Sequence, residues 1–271
     1  MTRASRRRLS TAGGLPPAMA PFAVLAMLFL LLPVVGLVVR APWRTLPDEL
    51  SSPEALEALR LSLVCATLAT LVCLLLGVPL AWVLARTRVP GRSLLRALVT
   101  VPLVLPPVVG GVALFTALGR RGIVGQWLDE WFGISLPFTT AAVVVAEAFV
   151  AMPFLVIAVE GALRAADRRM EEAAATLGAE RWYIVRRVTL PMVAPGLAAG
   201  TVLCWARALG EFGATITFAG SFPGTTQTMP IHVYLTLQRD PPAAIALSLV
   251  LLLVSVGVLA ALRERWLGTA R

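Results

Sequence analysis

Lysine is missing from this chain: all 24 basic residues are arginine. A phosphate-binding loop of the Walker A type needs a lysine on the β- and γ-phosphates, so this chain cannot hold one. Schiff-base chemistry is excluded for the same reason. There is one histidine, His232, which leaves no His cluster for a metal. Cysteine is scarce too. Cys65, Cys73 and Cys204 all fall within apolar runs, without metal-ligand spacing, and read as buried structural residues. Charge is thin, at 14% of residues, where soluble domains carry about 25%. No nucleophile–base arrangement stands out, so a membrane enzyme has no support and the chain reads as non-catalytic.

What the chain has instead is apolar length. Hydrophobic residues make up 58% of it, in runs that reach the ~20 residues needed to cross a bilayer. The runs are apolar on all sides, whereas a membrane β-barrel would alternate. The reading is an all-α polytopic membrane protein with six transmembrane helices. Residues 1–20 form a basic tail. Pro21–Val39 is a first anchor helix, too long for the usual signal-peptide core of about 7–15 residues. The core occupies residues 61–262, with spans near Leu61–Leu84, Ala97–Leu118, Thr140–Val159, a fifth from Met192 through Gly213, and Ala243–Leu262. Residues 263–271 are a second tail. Pro102, Pro106, Pro107, Gly110 and Gly111 require the third span to bend, with its freed backbone groups satisfied by neighbours or lining a cavity.

Six spans put both termini on one side, and arginine decides which. The two tails, the loop from Arg86 to Arg96 and the loop of about residues 160–190 carry seventeen arginines; the opposite side carries six. Arg207, inside a span, completes the set. The positive-inside rule makes the tails and the 160–190 loop cytoplasmic. The formal charge of +9 is thus a matter of topology, not of nucleic-acid binding. Lipid is the implied surround.

The 160–190 loop is the most informative stretch. Asp167 suits an N-cap, and Glu171 and Glu172 sit in the early turns where the helix dipole favours negative charge. Ala173, Ala174, Ala175 and Leu177 are helix formers, and Gly178 suits a left-handed C′ position. A second short helix is expected over about 180–187, before Leu190-Pro191 opens the next apolar run. Small alanines let another protein approach closely. An ordinary solvated helical hairpin would also use these residues.

The spacing is more specific: Glu172-Ala173-Ala174, three residues, Gly178, nine residues, then Val188-x-Leu190-Pro191. This resembles the EAA loop of ABC importer permeases, with Val188 where isoleucine is usual. The likeness continues in LVLPPVVGG from Leu103, GRRGIVGQWLDEWFGI from Gly119, ARALGEFGATITFAG from Ala206 and PGTTQTMPIHVY from Pro223. Together these resemble the permease subunit of molybdate ABC importers, a type I importer fold. The Leu-Gly-Glu-Phe-Gly run is shared with sulfate and thiosulfate permeases.

The resemblance implies a non-catalytic transport subunit in the cytoplasmic (inner) membrane of a prokaryote. It implies a homodimer and two separate ATPase subunits that use ATP and Mg, while this chain binds no cofactor and no metal. It also implies an extracytoplasmic binding protein that delivers molybdate or tungstate. Glu172, Ala173, Ala174, Gly178, Leu190 and Pro191 would form the coupling loop that docks on the ATPase. The alternatives are the same machine for sulfate or thiosulfate, and a stand-alone secondary anion transporter. The last has no use for a docking loop, and the inverted repeats common in such transporters are not found.

Candidates for the path or gate are Arg207, Gly210, Glu211, Gly213, Pro106, Pro107 and Gly110. Arg207 and Glu211 are spaced i, i+4, suited to an ion pair. Arg207 lies 16 residues past Pro191, about 24 Å along a helix. An intramembrane charge costs about 2.5–3.5 kcal/mol on insertion scales and wants a partner. The pair reads equally as a support of the path or as a structural lock. The glycines read as close helix packing, or as a break whose N–H groups face an anion. Glu147, mid-span, would pair with Arg207 or be protonated.

Overall fold

The computed structural model describes residues 17–87 and 89–267. Part of the expected cytoplasmic charge, namely the arginines of the N-terminal tail, Arg88 and Arg271, lies outside the described residues. Thirteen α-helices and no strands are found among the described residues.

The chain divides at Ala41. The first unit is one apolar helix, α1 (Ala20–Arg40), with no buried residue along it. A soluble protein would not leave Phe22, Leu25, Phe29 and Leu32 in water; hydrocarbon is the solvent that fits them.

The second unit begins with a short helix, α2 (Leu46–Ser51), followed at once by α3 (Pro53–Arg86). Ser52 caps α3 by accepting from the Ala55 N–H, and Pro53 takes the first helical position, where its missing N–H costs nothing. This helix starts eight residues before the expected span, because the cap and the proline set the start and hydropathy does not. α7 (Thr140–Ala165) is capped the same way by Thr139. α3, α7 and α10 (Leu190–Leu209) make the centre of the unit. Ala66, Ala69, Cys73 and Ala81 on α3 meet Ala148, Ala151 and Leu155 on α7, with Cys204 and Ala208 on α10. Small side chains let these helices approach closely, which is how packing is won where lipid offers no hydrophobic contrast.

The third span departs from a single bent helix. It is two helices, α4 (Arg92–Val104) and α5 (Pro107–Leu118), set at 118°. Pro106 pushes Leu105 into extended backbone, and neither Pro106 nor Pro107 has an N–H to donate, so the helix stops and restarts. Five helices are therefore long and apolar enough to cross a membrane alone, and the bent pair makes six. α6 (Gly125–Phe132) follows α5 and carries the aromatics Trp127 and Trp131.

The fifth span also differs at both ends. α10 itself begins at Leu190, close to the expected Met192, but the helical run starts earlier. A short helix, α9 (Arg181–Ile184), passes through a π turn at Val185–Thr189 straight into α10. Pro191 cannot donate to the carbonyl four residues back, and the wider π turn takes up that mismatch. The helix then stops at Leu209. Gly210 to Phe212 are non-helical, and α11 (Gly213–Phe218) starts afresh. α12 (Met229–Leu237) is a short helix, and α13 (Pro241–Leu267) is the last described one, with Arg263 and Arg265 in its sequence.

Candidate functional site

The loop between α7 and α10 is built as its residues dictate. Asp167 accepts from the Arg169 N–H at 3.0 Å and caps α8 (Arg168–Thr176). At the other end Gly178 stands at φ +83°, the left-handed region. The Ala179 N–H reaches the Ala174 carbonyl and the Gly178 N–H reaches that of Ala175, which is a Schellman closure. Glu172, Ala173 and Gly178 are exposed and Ala174 is half-buried. Apolar side chains stand out beside them: Leu177 is 88% exposed, and Met170, Trp182 and Tyr183 are exposed as well. Leu190 and Pro191 open α10, directly after Thr189.

Glu171, expected only to suit the helix dipole, does more in the structure. Its Oε1 accepts from Arg86 Nη2 at 2.9 Å and from the Thr189 hydroxyl at 3.0 Å. Arg86 ends α3 and Thr189 ends the π turn, so one carboxylate ties α8 to two other parts of the unit. The motif spacing starts at its neighbour Glu172. An arginine at the end of a span, 85 residues earlier, gives no local signal of this pairing. A second knot lies nearby: Glu160, buried near the end of α7, pairs with both Arg96 and Arg164.

Within the bundle Arg207 Nη2 meets Glu211 Oε2 at 2.7 Å, with Glu211 only 1% exposed. The two are not on one helix, since α10 has ended between them. Glu211 Oε1 accepts from the Ala214 N–H at 2.7 Å, in the first turn of α11. The break at Gly210 thus turns an N–H toward a carboxylate of the same chain. Glu147 is 1% exposed, and its Oε2 has no hydrogen-bond partner among the described residues; Arg207 pairs with Glu211 instead.

The glycines divide. A Cβ on Gly213 would lie 2.6 Å from Pro107 Cβ, so α5 and α11 touch there backbone to backbone. Gly110 meets only Phe149 at an ordinary 3.4 Å, and Gly210 is not crowded. Pro106 and Pro107 form the corner of the broken span, so Pro107 and Gly213 are brought together while Gly210 and Gly110 are not.

At the opposite end lies an open cavity of about 610 Å³, lined by Glu49, Glu54, Gln227, His232, Arg239 and Asp240 among others. Burial pushes the His232 imidazole below its ordinary pKa, with Glu54 opposing. Three carboxylates against one guanidinium make this a poor receptacle for an oxyanion. Among the described residues no three His, Cys, Asp or Glu side chains are grouped as a metal site would need.

Comparison with known proteins adds to this geometry. The family model of the binding-protein-dependent transport system inner membrane component matches residues 77–268. The molybdenum transport system permease protein ModB of Mycobacterium tuberculosis is 49% identical over 235 residues, covering 86% of this chain and 88% of that protein. The sulfate transport system permease protein CysT of Escherichia coli is 37% identical over 233 residues, covering 84% of each. Among solved structures, a bacterial ABC transporter involved in the import of the acidic polysaccharide alginate superposes with a TM-score of 0.73 at 18% identity, over 94% of this chain and 95% of that one. That likeness is one of fold. The knob at Gly178, the broken spans and these matches lead to one conclusion: the chain is a multi-pass membrane protein of the binding-protein-dependent transport system inner membrane component family.

Proposed function

We propose that this chain is the membrane-spanning subunit of an ATP-driven importer that carries molybdate into the cytoplasm. The observation that carries the reading is the exposed α8–Gly178–α9 knob, in a chain 49% identical to a molybdenum permease over 86% of its length. An exposed Leu177, Trp182 and Tyr183 on a small-residue helix make a surface for another protein, not for water. The partner is a pair of ATPase subunits, which supply the ATP and Mg chemistry that a chain without lysine cannot. A second copy of the chain completes the path, and an extracytoplasmic binding protein delivers the anion. Both termini and the knob face the cytoplasm, in keeping with the arginine distribution.

In this reading nucleotide binding draws the two ATPases together, and each carries a knob with it. The bundle follows as a body, because α3, α7 and α10 are packed through small side chains. Arg207 and Glu211 hold the end of α10 against the start of α11, beside the Pro107–Gly213 crossing. Arg207 is neutralised by Glu211, so the pair supports the path and is not a trap for the dianion. Substrate choice rests with the binding protein.

The test is reconstitution. The chain, its ATPase and its binding protein in proteoliposomes are expected to take up molybdate only with ATP and Mg inside the ATPase compartment, with tungstate competing and sulfate not. Uptake without ATPase would overturn the reading in favour of a stand-alone transporter. Preferred uptake of sulfate would reassign the substrate.

A further inference from the structure

The knob has to pull on the bundle, and the structure shows where it is fastened. α8 is joined by backbone at the Asp167 cap on one side and at Gly178, at φ +83°, on the other. Its outer face is exposed at Glu172, Ala173 and Leu177. Among the described residues, the side-chain bonds that leave α8 for other elements are those of Glu171, to Arg86 and Thr189. The Arg86 side chain is 8% exposed and Thr189 is 1% exposed, so both ends of the tie are held in the protein. A charge-assisted bond in such a place is stiff and strong beside a surface pair.

We infer that Glu171, one residue before the motif glutamate, is the positioning residue that transmits displacement of α8 to the bundle, by pinning it at once to the end of α3 through Arg86 and to the π turn before α10 through Thr189. The inference rests on the transport reading above. The Glu171 side chain is 21% exposed and engaged with these two partners, so it sets how rigidly the exposed face of α8 is coupled to what lies behind it. With the tie cut, α8 rocks on its two ends, and ATPase closure is absorbed in the loop. A π turn is the right place to receive the pull, because its wide hydrogen-bond register is already a joint.

The experiment uses the full transporter in proteoliposomes and measures molybdate taken up per ATP hydrolysed. Glu171→Gln keeps an acceptor for Thr189 and removes the charge. It is expected to leave ATPase co-purification and basal hydrolysis unchanged, while uptake per ATP falls about tenfold. Arg86→Gln should do the same. The exchanged pair Arg86→Glu with Glu171→Arg should recover at least about a third of the ratio, short of full because a carboxylate at the end of α3 opposes the helix dipole. The inference is overturned if Glu171→Gln transports at the normal ratio, or if the exchanged pair is no better than either single variant while the complex assembles. A role in stability alone would lower yield and leave the ratio untouched. Failure of the transport reading looks different: the unaltered complex would then show no ATP-dependent uptake.

Discussion

Two single residues carry more than their neighbours. Gly178 has nothing within 4 Å of where a Cβ would stand, so a substitution there meets open space. Its constraint is the backbone angle of +83°, which costs an L-residue about 1–2 kcal/mol. Gly178→Val is therefore expected to unseat the α8 knob without disturbing the bundle. The check is a yield of permease close to normal with ATPase co-purification reduced at least about fivefold, since 1–2 kcal/mol is a factor of roughly 5–30. Gly178→Asn should be milder, because asparagine tolerates that region. Arg207 poses the opposite problem. Arg207→Ala leaves Glu211 buried with its charge unmatched, a loss of about 3–5 kcal/mol by analogy with broken buried pairs. Thermal unfolding in detergent should show it as a large fall, with uptake abolished. The double variant Arg207→Ala with Glu211→Gln should regain much of the lost stability, since the stranded charge is gone while an acceptor for Ala214 remains. If it does not, the contribution of Arg207 lies in packing and not in the pair.

At the scale of elements, two broken helices meet. α5 begins at Pro107 and α11 at Gly213, and these two residues are in contact. Gly213→Ala places a methyl 2.6 Å from Pro107 Cβ, with α5 backbone atoms 3.3 Å away, so the helices must part. Overpacking of this kind costs about 1–3 kcal/mol. Gly210→Ala, only three residues earlier, meets nothing closer than a carbonyl at 3.6 Å and should pass almost unnoticed. Measuring uptake for the pair separates a crossing that needs glycine from a stretch that is merely rich in it. The same elements show what a sequence discloses. Asp167 and Gly178 were legible because a cap and a C′ glycine are local chemistry. The α4–α5 corner was legible as a bend, since two prolines leave little choice, but its 118° angle was not. The end of α10 at Leu209 was legible only as one of two readings of its glycines, because Arg207 and Glu211 keep helical spacing across the break. The Glu171 tie was hidden because its partners come from α3 and the π turn, and only the fold brings them together.

For the whole molecule, one contact fixes the crossing pattern. Arg86 at the end of α3 touches Glu171 beyond α7, so the loops after these two helices share a face. α7 is a 26-residue crossing, which places the segment around Ile123 on the other face. The α4–α5 pair must then cross too, although its halves of 13 and 12 residues are each only about 20 Å long. A re-entrant corner would put Ile123 beside Val89 and forbid the Arg86–Glu171 bond. Cysteine labelling reads this directly, and the native background is low because Cys65, Cys73 and Cys204 are fully buried. Val89→Cys and Leu177→Cys should react with a membrane-impermeant maleimide only in permeabilised cells, and Ile123→Cys in intact ones. Labelling of Val89 and Ile123 from one side would leave the bent pair as a re-entrant loop. Labelling of Leu177 from outside would turn the knob away from ATP, and the arginine asymmetry would then have no bearing on which side the motor sits.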